Sequence, residues 1–159
     1  MVTTTENKNM SKKILTLLII HQKDRVLLGL KKRGFGEGKW NGFGGKVAKS
    51  ETIEEAAKRE LFEEARLTVN NMEKLGVIDF SWKNKKGILE VNIFKAVDFS
   101  GEPKESDEMM PQWFLIKDIP YEKMWSDDKY WLPMFLENKK FKGKFLFDEN
   151  NNVLKYELN

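Results

Sequence analysis

The residues best suited to chemistry sit mid-chain: Arg59, Glu60, Glu63 and Glu64. At about 100° per residue, Glu60, Glu63 and Glu64 share one arc of a helix, because positions i, i+3 and i+4 are neighbours. Like charges so placed repel by roughly a few tenths of a kcal/mol in water, and by more when partly buried. A hard divalent cation relieves that repulsion. Oxygen ligands without His or Cys favour Mg²⁺, with Mn²⁺ as a substitute, over zinc. Mg²⁺ takes few protein ligands and keeps the rest of its shell for water and substrate phosphates. The competing reading is an ordinary solvated acidic face, since structural and functional charge clusters look alike.

Several elements must position these acids. Thr52 and Glu55 have the spacing of a capping box, which predicts a helix starting just after Thr52. Ile53, Ala57, Leu61 and Ala65 recur every fourth residue and predict its buried stripe, with Glu64 nearest to it and least solvated. Before the helix, Lys31–Gly45 is a loop rich in glycine (Gly34, Gly36, Gly38, Gly42, Gly44, Gly45), where positive φ and close backbone approach to a ligand are possible. It is not a P-loop, because Gly44-Gly45-Lys46 is followed by Val47. Within it, Trp40 reads as core and Asn41 as a turn residue. Near the other end of the chain Trp125, Ser126, Asp127 and Asp128 precede a second helix. Taken by themselves, Ser126 and the two acids read as a helix cap that suits the macrodipole.

The chain has 159 residues, 40% hydrophobic and 33% charged, with a net charge of +3. That suits one soluble domain with a real core, and the charge is too small to argue for a nucleic-acid partner. With no cysteine there is no disulfide, zinc-thiolate site or catalytic thiol, and the single His21 rules out a multi-histidine metal site. No apolar run reaches the roughly 20 residues of a membrane span, and the polar start lacks the core of a signal peptide. The cytoplasm is the expected location, with nucleus and mitochondrion open, and a monomer without membrane or stable nucleic-acid partner is the expected state.

Residues 1–12 read as a disordered tail, and 13–159 as a single domain. Ile14–Ile20 is a β-branched apolar run, as in a strand buried on both faces, and Arg25–Leu30 a second strand. Leu75–Trp82 and Ile88–Val97 predict a hairpin, Gln112–Ile116 a short strand, and Ser126–Asn138 an amphipathic helix in which Pro133 is tolerable only in the first turn unless it kinks. Phe141–Phe147 and Val153–Leu158 predict a closing hairpin. Strands interspersed with two helices imply an α/β (α+β) fold: an α/β/α sandwich with a mixed, partly parallel sheet between helices.

The spacing from Gly45 through Glu51 and Arg59-Glu60-Leu61 to Glu63-Glu64 and Leu67 resembles the Nudix box, departing only where the family has Gly and this chain has Arg66. Further segments resemble the animal oxidised purine nucleoside triphosphatases of the MutT-type Nudix group: Arg25–Gly29, Lys31–Gly36, Trp40–Val47, Glu105–Met109 and Met124–Asp128. The resemblance implies Mg²⁺-dependent hydrolysis of 8-oxo-dGTP and 2-hydroxy-dATP to nucleoside monophosphate and pyrophosphate. It implies Mg²⁺ held by the Gly44 carbonyl, Glu60, Glu64 and Glu108, with Glu63 direct or through water. Glu60 or Glu63 would activate the water, and Arg59 would pair with Glu51. It also implies a base pocket in which Asp127 and Asp128 read the purine edge, Trp125 stacks and Asn41 adds an amide. Thr16, Leu17, Phe35, Phe80, Leu89 and Met109 would wall that pocket, with Lys31 near its entrance. Trp113 and Trp131 read as packing. Arg66 stands where the box Gly usually takes a left-handed conformation, so either the helix continues another turn or Arg66 is strained by about 1 kcal/mol, with lower stability expected and no lost chemistry. Leu89 in place of Met and Ser126 in place of Pro predict a modest shift in base preference.

Two other functions fit parts of the sequence. A Nudix enzyme acting on ADP-ribose, dinucleoside polyphosphates or capped RNA shares the box. A non-catalytic nucleotide- or RNA-binding module could use Lys139–Phe145, although alternating Phe and Lys also marks an amphipathic strand.

Overall fold

A computed structural model describes residues 11–159. The expected tail lies outside the described residues up to position 10; Ser11 already accepts the Ile88 N–H, and Lys12 begins the first strand. The elements in order are β1 (Lys12–Gln22), β2 (Arg25–Lys31), β3 (Trp40–Asn41), α1 (Ile53–Ala65), β4 (Glu73–Trp82), β5 (Ile88–Ala96), β6 (Met109–Leu115), α2 (Asp128–Leu136), β7 (Phe141–Phe147) and β8 (Val153–Leu158). Two 3-10 turns lie between β6 and α2. The strands form one mixed sheet in the order β3-β2-β1-β5-β4-β7-β8, with β6 paired to β2. β1–β5 and β4–β7 are parallel, and the other pairs antiparallel.

One helix covers each face, as expected for the sandwich. The α1 side buries Ala57, Leu61 and Ala65 against Leu18, Ile20, Phe43 and Phe94. The α2 side buries Trp131, Leu132 and Phe135 with Ile19, Ile78, Ile93 and Phe145. β1 thus feeds both cores by alternation, which explains its apolar run, interrupted only by Thr16. Along β7 Phe141, Phe145 and Phe147 are buried while Lys142 and Lys144 are exposed, so the Lys–Phe alternation is that of an amphipathic strand.

Most strand bounds lie within one or two residues of expectation, while β6, the second helix and Ser126 depart from it more. β6 starts at Met109 and runs through Pro111; among the described residues it pairs with β2 alone, and such an edge strand tolerates a proline. The second helix is shorter than Ser126–Asn138, and Pro133 lies inside it rather than in its first turn. Ser126 caps nothing: its hydroxyl donates to the Asn151 carbonyl and accepts the Val153 N–H, tying this segment to the β7–β8 turn.

Candidate active site

The acidic helix is built as its spacing dictates. Thr52 accepts the Glu55 N–H at 3.1 Å while Glu55 accepts the Thr52 N–H at 2.9 Å. Arg59 organises the approach to the helix. It donates to both oxygens of Glu51, at 2.6 and 2.9 Å, to the Lys46 carbonyl at 3.1 Å and to Glu60 at 2.9 Å. This guanidinium holds the Glu51 carboxyl down at about 2. Glu63 is exposed and lies 3.3 Å from Arg59.

Glu64 is only 4% exposed, and burial pushes its carboxyl up to about 8, against the pull of the Gly44 N–H that it accepts at 2.9 Å. Glu60 is raised too, by burial first, with Arg59 opposing and the charges of Glu63 and Glu108 adding. The glycines before the helix are required sterically. The segment after Phe43 runs along β1, with Thr16 N–H donating to Gly45 O at 2.9 Å. A Cβ on Gly44 would lie 1.8 Å from the Thr16 carbonyl, and one on Gly45 2.7 Å from Glu60 Oε1.

Beside this helix opens a cavity of about 360 Å³. Gly44, Gly45, Lys46, Lys31 and Glu64 border it, as do Asp127 and Asp128. Both aspartates are 3% exposed. Asp127 Oδ2 accepts the Trp131 indole N–H at 2.7 Å. Burial raises both carboxyls, Asp128 the more strongly because the Asp127 charge adds to it. Among the described residues, Asp128 Oδ2 and Thr16 Oγ1 are buried without a hydrogen-bond partner. An unpaired buried polar atom is costly, so both atoms suit a polar ligand group. Trp125 and Phe35 lie against each other at 5.0 Å between ring centroids.

The NUDIX domain model matches residues 11–135, most of the chain. The chain belongs to the Nudix family. It is 52% identical to the zebrafish (Danio rerio) oxidized purine nucleoside triphosphate hydrolase, over 92% of this chain and 94% of that protein. Identity to the mouse (Mus musculus) protein of the same name is 49% over the same shares. Among solved structures, the MutT protein from Bacillus halodurans superposes with a TM-score of 0.83 at 30% identity, covering 92% of this chain and 97% of that one. Nudix hydrolases generally need a divalent metal ion, usually Mg²⁺.

The Nudix helix and the cavity gather most of the expected site. Thr16, Leu17, Lys31, Phe35, Asn41, Gly44, Glu64, Phe80, Leu89, Trp125, Asp127 and Asp128 all border the cavity. Glu60 and Glu108 stand near Glu64 rather than on the cavity wall, with Glu108 3.3 Å from Lys31 Nζ, and Glu63 lies off the wall beside Arg59 and Glu60. Met109 does not border the cavity in this structure. It is buried in the α1-side core beside Phe43, where a Cβ on Gly29 would come 2.6 Å from its terminal methyl. In β6 neighbouring residues face opposite sides, and Met110 takes the α2 side. Trp131, expected only to pack, also borders the cavity and holds Asp127. The i, i+4 spacing of Asp127 and Trp131 was the available signal. Trp82 and Phe147 were missed: they meet as partners in the parallel β4–β7 ladder, which no local spacing reveals.

Proposed function

We propose that this Nudix enzyme hydrolyses oxidised purine nucleoside triphosphates, 8-oxo-dGTP and 2-hydroxy-dATP, to nucleoside monophosphate and pyrophosphate, sanitising the nucleotide pool. The observation that carries the reading is the opening of one cavity onto both the Asp127–Asp128 pair and Glu64 with its Gly44–Lys46 border. A purine can lie at one end while its phosphates reach the other. Two adjacent buried carboxylates do not both ionise easily, so the pair titrates as a unit and offers the base either an acceptor or a protonated donor. That duality suits the differing edges of an oxidised guanine and an oxidised adenine. Asn41 adds an amide with both functions, Thr16 a hydroxyl, and Trp125 a stacking face.

The donor set fits a hard cation. Glu60 and Glu64 meet at the Gly44–Gly45 turn, and Glu108 adds to the negative charge at both. Among the described residues no three such side chains stand gathered as a ready cage. Glu60, Glu64, Glu108 and the Gly44 carbonyl would hold Mg²⁺, or Mn²⁺ in its place, with Glu63 joining directly or through water. When bound, the ion supplies neutralisation of phosphate oxygens and a lowered pKa for water. Glu60 or Glu63 takes the proton of the attacking water as its oxygen bonds to phosphorus, and the bond to the departing pyrophosphate breaks. Arg59 keeps Glu51, the Lys46 backbone and Glu60 in place.

The test is product formation from both oxidised nucleotides with and without Mg²⁺, beside ADP-ribose, a dinucleoside polyphosphate and capped RNA. Mg²⁺-dependent pyrophosphate release from the oxidised purines is expected, with a loss of about a hundredfold or more in Glu64→Gln. Near-normal turnover of that variant at saturating Mg²⁺ contradicts the role of Glu64, and preference for another panel member contradicts the substrate.

A further inference from the structure

Lys95 in β5 is only 5% exposed and is not among the residues bordering the cavity. Its ammonium donates to three acceptors: the Phe135 carbonyl at 2.7 Å, Asn138 Oδ1 at 2.7 Å and His21 Nδ1 at 2.9 Å. His21, at the end of β1, is kept neutral by its own burial and by the Lys95 charge, and its Nε2–H donates to the Lys23 carbonyl. Glu73, at the start of β4, is the acid facing Lys95 at longer range. The Phe135 carbonyl and Asn138 belong to the C-terminal end of α2, where a cation also suits the helix dipole.

α2 is anchored through its middle by buried Trp131, Leu132 and Phe135, while its ends have few polar ties of their own. It has nine residues, Pro133 removes one internal hydrogen bond, and Asp127 at its N-cap makes no capping bond. Yet its N-terminal end must keep Asp127 and Asp128 in the cavity. The lysine's acceptors are not orphaned without it. The Phe135 carbonyl also accepts the Asn138 N–H at 3.0 Å, Asn138 is exposed and His21 is half-buried, so each acceptor has another partner or water. Burial meanwhile penalises the ammonium, pushing its pKa down to about 8.

We propose that Lys95 is a positioning residue for substrate recognition: it fastens the C-terminal end of α2 to β5 and β1, and so fixes the helix that carries Asp127 and Asp128. This rests on the reading of that pair as the purine-recognising groups. The experiment compares wild type with Lys95→Met and with Asn138→Gly, which removes one acceptor while keeping a residue suited to φ 60°. In Lys95→Met, KM for 8-oxo-dGTP and the inhibition constant of the nucleoside monophosphate rise about fivefold, the size of one net hydrogen bond. kcat and inhibition by pyrophosphate, which lacks a base, stay unchanged; Asn138→Gly moves the same way by less.

The thermal midpoint near neutral pH stays level or rises in Lys95→Met, because a buried charge has been removed. A folded pKa of about 8 against 10.5 in the unfolded chain means that wild type gains stability as pH climbs between those values, and the variant lacks that gain. The Trp131 indole N–H resonance shifts without any substrate, so the helix position is read even if purine triphosphates prove not to be substrates. Unchanged KM and an unmoved indole signal overturn the proposal. So does a lowered thermal midpoint with equal losses for nucleoside monophosphate and pyrophosphate, which marks a merely structural lysine.

Discussion

Asp128 and Asp127 show how neighbours decide what a carboxyl does. On an exposed helix end they would be caps; buried together beside Trp131, both carboxyls are pushed toward their protonated forms. Burial and the Asp127 charge raise Asp128 well above its ordinary 3.8, so the folded protein keeps a proton that the unfolded chain releases. The associated stability is fully present below 3.8 and lost as pH rises through the folded pKa. Asp128→Asn is therefore expected to raise the thermal midpoint at about pH 7 more than at about pH 4, measured by thermal unfolding across that range. The same substitution, and Asp127→Asn, should alter the ratio of activities on 8-oxo-dGTP and 2-hydroxy-dATP by about tenfold, since each base edge loses a different partner. Equal losses on both substrates would instead indicate misfolding.

At the scale of elements, α1 joins a well-made start to a strained end. The reciprocal Thr52–Glu55 bonds fix the beginning. Arg66 ends it at φ 61°, the left-handed conformation anticipated for the position of the box glycine, with its N–H on the Phe62 carbonyl. The guanidinium lies 5.3 Å from the Phe62 ring centre, which offsets part of the strain. Arg66→Gly should raise stability by about 1 kcal/mol, seen as a thermal midpoint roughly 2–4 °C higher, with kcat within about twofold. A lower midpoint would mean that the ring contact outweighs the backbone strain. The helix was legible because its signals are local: a cap pair, an apolar repeat of four and acids on one arc. Only the direction in which those acids point required the fold.

At the scale of the whole molecule, the sheet brings distant segments to one cavity. β1 lies between β2 and β5, and its parallel pairing with β5 sets Leu17 beside Ile93 on the cavity wall. On the far side of the sheet order, Lys142 and Lys144 point to solvent from β7. Reversing both charges is expected to leave kcat/KM on oxidised purine triphosphates within about twofold, as for ordinary surface changes. A larger loss, or loss of a measurable RNA affinity in a filter-binding assay, would revive the binding-module reading.

The sequence by itself determined α1 with its cap and acidic arc and most strands, though not β3, because each follows from spacing within a few turns, while the Arg66 position and the cavity residues were legible only through the family's motif positions. Tertiary structure decided which face of β6 carries Met109 and which carries Met110, since a one-residue change of parity exchanges the two sides of a sheet. It also decided that Trp82 meets Phe147, that Ser126 bonds to the β7–β8 turn rather than capping α2, and that Lys95 reaches the end of that helix. These contacts join residues far apart in the chain. Their partners are chosen by strand pairing and by the burial of two opposed apolar faces, neither of which a local repeat records.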